Sequence, residues 1–182
     1  MKGNLFVVMG VSGCGKSTVA HLLAVRTGGL FLDADDFHSA EAKELMAAGI
    51  ALSDGDRWPW LTRLNSLLRN YAGAEEPVFM ACSALRQDYR DKLAEGLESL
   101  QFIYLKGTKE VIRKRLANRK NHFMNPGLLD SQFATLEEPL DAITLSITDP
   151  MEVIINTALE KMDSSRESVR NDGEGTKRPP RE

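Results

Sequence analysis

Cysteine is nearly absent: Cys14 and Cys82 are the only two among 182 residues. That excludes a disulfide scaffold and makes a reducing, cytoplasmic setting the expectation. No apolar run reaches the length of a membrane span, and the short one after Asn4 gives way to glycines too soon for a signal peptide. An excess of one charge is missing too. Lys and Arg number 23 against 26 Asp and Glu, a net charge of −3. This balance argues against general binding to nucleic acid or to a membrane, so any anionic partner must meet locally concentrated positive charge. No internal repeat is visible. What is present is a hydrophobic share of 42%, enough for the core of one domain.

Strand and helix patterns alternate along that domain. Short apolar runs at 4–9, 30–32, 77–81, 102–105 and 143–147 read as strands. Helical spacing covers 16–27, 41–48, the stretch from Asp56 to Tyr71, 87–95, 108–119 and 151–162, with glycine stops at Gly28, Gly49 and Gly96. Such alternation means parallel strands with helical crossovers, an α/β fold with a central sheet of about five strands flanked by helices. The domain takes residues 1–162. Residues 163–182 have Val169 as their only aliphatic side chain among balanced charges, and are expected to be a disordered tail.

Gly10-Val11-Ser12-Gly13-Cys14-Gly15-Lys16-Ser17 matches the phosphate-loop pattern in full, between a strand and a helix. Its glycines allow backbone N–H groups to turn inward around phosphates, and the helix N-terminus adds partial positive charge. Lys16 is expected at the β- and γ-phosphates, and Ser17 on Mg²⁺, with Thr18 following in the helix. Cys14, beside Lys16 at a helix start, is expected to favour its thiolate. The loop implies ATP. The Asn-Lys-x-Asp motif of GTPases is missing. The apolar run 78–81 ends in Cys82-Ser83, not in the Asp-Glu of motor or AAA-type ATPases. A small-molecule kinase remains, or a nucleotide-binding regulatory protein that lost transfer.

The acceptor side begins at Asp33-Ala34-Asp35, at the carboxyl end of the second strand, where ligands bind in open parallel sheets. If the segment is extended, both carboxylates point one way, one toward a Mg²⁺ water and the other toward a hydroxyl proton. Asp36 is assigned the plainer role of helix cap, and His38 stands close by. In Asp54-Gly55-Asp56-Arg57-Trp58-Pro59-Trp60, Asp56 reads as an N-cap, Arg57 as an anion-binding cation, and the tryptophans as packing residues. Ser83 and Arg86 end the third strand and could meet substrate. Arg115 and Arg119 share a helix face toward the nucleotide. The breaker-rich stretch His122 to Gly127 suits a mobile lid over about 120–135.

Together these blocks, with Tyr89-Arg90-Asp91 and the run from His122-Phe123 to Ser131-Gln132-Phe133, resemble the gluconokinase family over residues 4 to about 160. The resemblance implies phosphorylation of the 6-hydroxyl of D-gluconate by ATP with Mg²⁺, on a fold similar to nucleoside monophosphate kinases and shikimate kinase. It implies that Asp35 is the base, Asp33 a Mg²⁺-water ligand, Arg115 the adenine-stacking residue and Arg119 a phosphate clamp. His38, Arg57, Ser83, Arg86, His122 and Gln132 fall to the substrate. A homodimer is implied as well. A related kinase of another small hydroxy acid, such as one resembling shikimate, is the nearest alternative. The chain departs from the family's usual residues at Ala42, Leu45, Ala51, Arg86 and Asn125.

Overall fold

The computed structural model describes residues 4–117 and 126–171. Five strands form one sheet: β1 (Leu5–Met9), β2 (Leu30–Asp33), β3 (Val78–Ala81), β4 (Leu100–Lys106) and β5 (Ile143–Ser146). All pairings are parallel and the order is β2-β3-β1-β4-β5. β1 is buried at every position because it lies mid-sheet, with helices on both faces. That is why its sequence is a continuous apolar run with no alternation.

The pleat sends alternate side chains to opposite layers. Phe6, Val8, Phe79 and Ala81 pack on one face with Val19 and Leu23 of α1 (Lys16–Thr27) and Ile154, Ile155 and Ala158 of α7 (Met151–Asn171). The rings of Phe6 and Phe79 stack there at 5.0 Å. On the other face Leu5, Val7, Met9 and Met80 meet Leu61, Leu64 and Leu68 of α3 (Asp54–Asn70) and Leu93 of α4 (Gln87–Ala94). Asn65, the buried polar residue of α3, donates to the carbonyls of Leu93 and Glu95 at 2.9 Å each and so ties α3 to the end of α4.

Several elements differ from the sequence reading. The segment after β2 is not extended: residues Ala34–Phe37 form a 3-10 turn, with the Asp33 carboxylate capping the N–H of Asp35. Ser39, not Asp36, caps α2 (Ala40–Ala47). Ser53, not Asp56, is the N-cap of α3, and Asp56 closes the reciprocal half of a capping box from the third helical position. α5 is described over Lys109–Ala117. The expected lid holds a helix, α6 (Pro126–Thr135), and the Pro-Gly pair read as a breaker opens it, since proline is tolerated in a first helical turn. α7 runs beyond Met162 to Asn171, so the first part of the expected disordered tail is helical. Extending an anchored helix needs no new nucleus, and Ser164 and Ser165 add hydroxyl bonds to the carbonyls of Glu160 and Lys161.

Candidate active site

β1 has β3 on one side and β4 on the other, so crossovers lead to opposite sides of it and a crevice opens at its carboxyl end. The loop Gly10–Ser17 leaves from there. Gly13 and Gly15 take φ of +83° and +103°, in the left-handed range that side chains rarely adopt. A Cβ on Gly13 would also stand 2.8 Å from Leu116 of α5. Val11 and Cys14 turn their side chains into the core, 3% and 2% exposed, which leaves their backbone to shape the loop. The thiolate expectation for Cys14 therefore fails: burial pushes its thiol up, and Lys16 only partly offsets this.

The loop walls one end of a cleft of about 360 Å³. Lys16 lies along the loop, its Nζ 3.1 Å from the carbonyl oxygen of Val11. The Ser17 hydroxyl donates to Oδ2 of Asp33 at 2.8 Å. The other Asp33 oxygen accepts the N–H of Asp35 at 3.1 Å. One carboxylate thus joins the phosphate loop to the acidic turn, and Asp33 and Asp35 both face the cleft. The sequence placed them on the same side for the wrong geometric reason. The Asp35 carboxyl is held above its ordinary range by the enclosing protein walls first and by neighbouring Asp33 second, with Lys16 and His38 opposing. Its side chain is nevertheless 80% solvent-accessible, so water from the cleft tempers that shift.

His38 forms the cleft's floor beside Asp35. Its ring stacks on Trp60 at 4.2 Å, nearly parallel, and its Nε2 is 3.9 Å from Asp35 Oδ1. Trp60 is fixed in turn by its indole N–H, which donates to the carbonyl of Ala34 at 2.9 Å. Burial holds the imidazole below its usual pKa despite the nearby carboxylate, and its Nδ1 is buried without a protein partner.

Arg57 reaches the cleft from the first turn of α3. Asp54 lies 3.7 Å from it and accepts from Tyr89 Oη at 2.5 Å and Arg86 Nη1 at 3.0 Å. These contacts, the Tyr89 bond foremost, hold the Asp54 carboxyl low. Arg86 is bridged between Asp54 and Asp88 and is not among the residues that line the cleft. Ser83 does line it, and its carbonyl accepts the Gly10 N–H at 3.3 Å. Gln132 of α6 lines it too, its Oε1 accepting the Ser12 N–H at 2.6 Å. Arg115 donates to the carbonyls of Cys14, at 3.4 Å, and Ile147, so it braces the back of the loop. Arg119 and His122 lie outside the described residues.

Sequence reasoning gave no site role to Asp54 or Tyr89, whose contact spans 35 residues of chain and has no local spacing to betray it. It also missed the apolar wall of Met46, Ile50, Leu52 and Leu128. Only the partial exposure of Met46 and Ile50 marks that wall.

The AAA domain family matches residues 5–141, which covers the nucleotide-binding part of this fold. The probable gluconokinase of Dictyostelium discoideum is 47% identical over 74% of this chain and 70% of its own length. The thermoresistant gluconokinase of Escherichia coli K12 is 42% identical over 86% of this chain and 92% of its own. The chain belongs to the gluconokinase family. A crystal structure of a gluconokinase from Sinorhizobium meliloti 1021 superposes with a TM-score of 0.84 at 36% identity, covering 93% of this chain and 97% of that one. Gluconokinases are phosphotransferases, and the expectation of a P-loop kinase fold that uses a nucleotide holds. Of the described departures from the family pattern, Ala51 alone touches the cleft. Ala42 is the buried residue of α2, Leu45 is not a lining residue, and Arg86 is bonded to Asp54 outside the cleft lining.

Proposed function

We propose that this chain transfers the γ-phosphoryl group of ATP to the 6-hydroxyl of D-gluconate, releasing 6-phospho-D-gluconate and ADP. The observation that carries the reading is the line Ser17–Asp33–Asp35, which sets a phosphate loop and a candidate base in one cleft. Backbone N–H groups of Gly10 to Ser17 and the Lys16 ammonium would hold the phosphates, Thr18 closes the first turn, and Arg115 with Arg119 would flank the nucleotide. Ser17 and Asp33 offer a hydroxyl and a carboxylate oxygen, hard donors suited to Mg²⁺. Among the described residues no His, Cys, Asp and Glu cluster forms a metal cage, which fits an ion that keeps waters and phosphate oxygens as its other ligands. When bound, Mg²⁺ would neutralise charge on the β- and γ-phosphates. Asp35 would orient the acceptor hydroxyl and take its proton.

At the far end of the cleft Arg57 would meet the sugar-acid carboxylate, with His38, Ser83, Gln132 and His122 on its hydroxyls. Arg86 would act there by holding Asp54. The family likeness extends the proposal to a homodimer, and the scarcity of cysteine and the charge balance extend it to a cytoplasmic enzyme with no nucleic-acid or membrane partner. Among the described residues no helix is long and apolar enough to cross a membrane. The test is Mg²⁺-dependent ADP release from ATP over a panel of sugar acids, shikimate and nucleoside monophosphates. Gluconate should give the highest kcat/KM. Preference for shikimate or a nucleotide overturns the assignment.

A further inference from the structure

Arg90 is the most buried charged residue described, 2% exposed, yet it makes no ion pair within 4 Å among the described residues. Its Nη1 donates to the carbonyls of Ala84 at 3.0 Å and Leu85 at 3.2 Å, and its Nη2 to Gln87 Oε1 at 2.8 Å. The Nε is buried with no protein partner. Burying a guanidinium for the sake of two carbonyls is costly unless those carbonyls need to be held.

Ala84 shows why they do. Its φ is +43°, and it is the one residue other than glycine with a positive φ among those described. An alanine there is strained, because its Cβ crowds the carbonyl oxygen. The strained peptide directly follows Ser83, which lines the cleft and whose carbonyl is tied to Gly10. On the far side Leu85 is gripped again, its carbonyl also accepting the N–H of Glu137, while the Glu137 carboxylate accepts the N–H of Gln87 at 2.6 Å. The left-handed kink is therefore pinned on both sides, by the Ser83–Gly10 bond before it and by the Arg90 and Glu137 bonds after it.

We infer that Arg90 is a positioning residue for acceptor recognition: it clamps the left-handed turn at Ala84 and thereby fixes Ser83 against the acceptor. The inference rests on the proposal that Ser83 contacts the acceptor. It predicts that loosening the clamp harms acceptor binding selectively, and that glycine at position 84 relieves the need for a clamp, because glycine adopts this φ without strain.

The test is steady-state kinetics with gluconate, and nucleotide binding by titration, on Arg90→Lys, Arg90→Lys/Ala84→Gly and Ser83→Ala. Lysine keeps the charge but loses the planar guanidinium whose Nη1 holds both carbonyls while its Nη2 is anchored on Gln87. Arg90→Lys should raise the gluconate KM roughly tenfold, the order of one lost hydrogen bond, with the Kd for ATP within about twofold. Adding Ala84→Gly should recover most of that loss. Ser83→Ala should raise KM comparably, and Arg90→Lys should add little to it. A flat gluconate KM in Arg90→Lys, or no rescue by Ala84→Gly, overturns the inference while the Ser83 reading stands. A flat KM in Ser83→Ala overturns the Ser83 reading and the inference with it. Should Arg90→Lys not fold, Gln87→Ala removes the contact that orients the guanidinium, along with the exposed bond from Gln87 Nε2 to Asp91 Oδ1. It should raise KM about two- to threefold, again reversed by Ala84→Gly, and no change or no reversal overturns the inference.

Discussion

Asp35 and His38 sit 3.9 Å apart with opposite displacements: the carboxyl is drawn toward its neutral form, and the imidazole is kept from charging. Asp35→Asn should lower kcat roughly 10²- to 10⁴-fold while the Kd for ATP changes little, since the change removes a proton acceptor and leaves the loop intact. Near wild-type turnover would move the base role elsewhere. For His38 the folded pKa lies below the unfolded 6.5. Its contribution to stability is therefore complete above pH 6.5 and is lost as pH falls through the folded value. Asp35 opposes the shift, and Lys43, Arg57 and Arg63 add to it. The melting midpoint should accordingly decline below pH 6.5, and His38→Gln should flatten that decline. At this scale the sequence was a good guide to which residue types gather, because the phosphate loop, Asp33 and Asp35 are local motifs. It was a poor guide to who holds whom. Asp54 pairs with Arg86 and Tyr89 from another helix, and Cys14 faces the core although its neighbours suggest a reactive thiol.

Helices α1, α3 and α4 were legible from periodicity, because each buries one stripe against the sheet. Their ends were less so. Ser53 and Asp56 compete as caps of α3 in the sequence, and the reciprocal bonds between them in the structure assign the N-cap to Ser53. Ser53→Ala should cost about 1 kcal/mol, read as a fall in melting midpoint of roughly 2–4 °C for a protein of this size. No change would mean that the Asp56 carboxylate supports the first turn unaided. α6 was hidden by its Pro-Gly opening, and its role is a tertiary matter: Gln132 occupies an N–H of the phosphate loop. Ser12 cannot give its proton to both that amide oxygen and a phosphate. Gln132→Ala should therefore tighten ATP binding about fivefold while weakening gluconate binding, measured by titration and by KM. Unchanged ATP affinity would show that the amide is not in competition.

The five-stranded parallel sheet follows from alternation alone, but the order β2-β3-β1-β4-β5 does not, because no local signal says on which side a crossover lands. The order matters most, since it puts β1 in the middle and opens the cleft at its end. Along α7 the last core residue is Met162, and Asp163 to Ser165 are polar. Deleting residues 163–182 should change unfolding free energy by no more than about 0.5 kcal/mol, with activity retained. A clearly lower midpoint would show that the polar turns contribute packing. The buried side chains of Val11 and Cys14 carry one more consequence. They anchor the phosphate loop to the same apolar layer that stabilises α1 and α7, so the loop takes its shape when the domain folds and not when a nucleotide arrives. Its conformational entropy is surrendered on folding, so affinity for a nucleotide should rise and fall with the integrity of the hydrophobic layer beneath the loop.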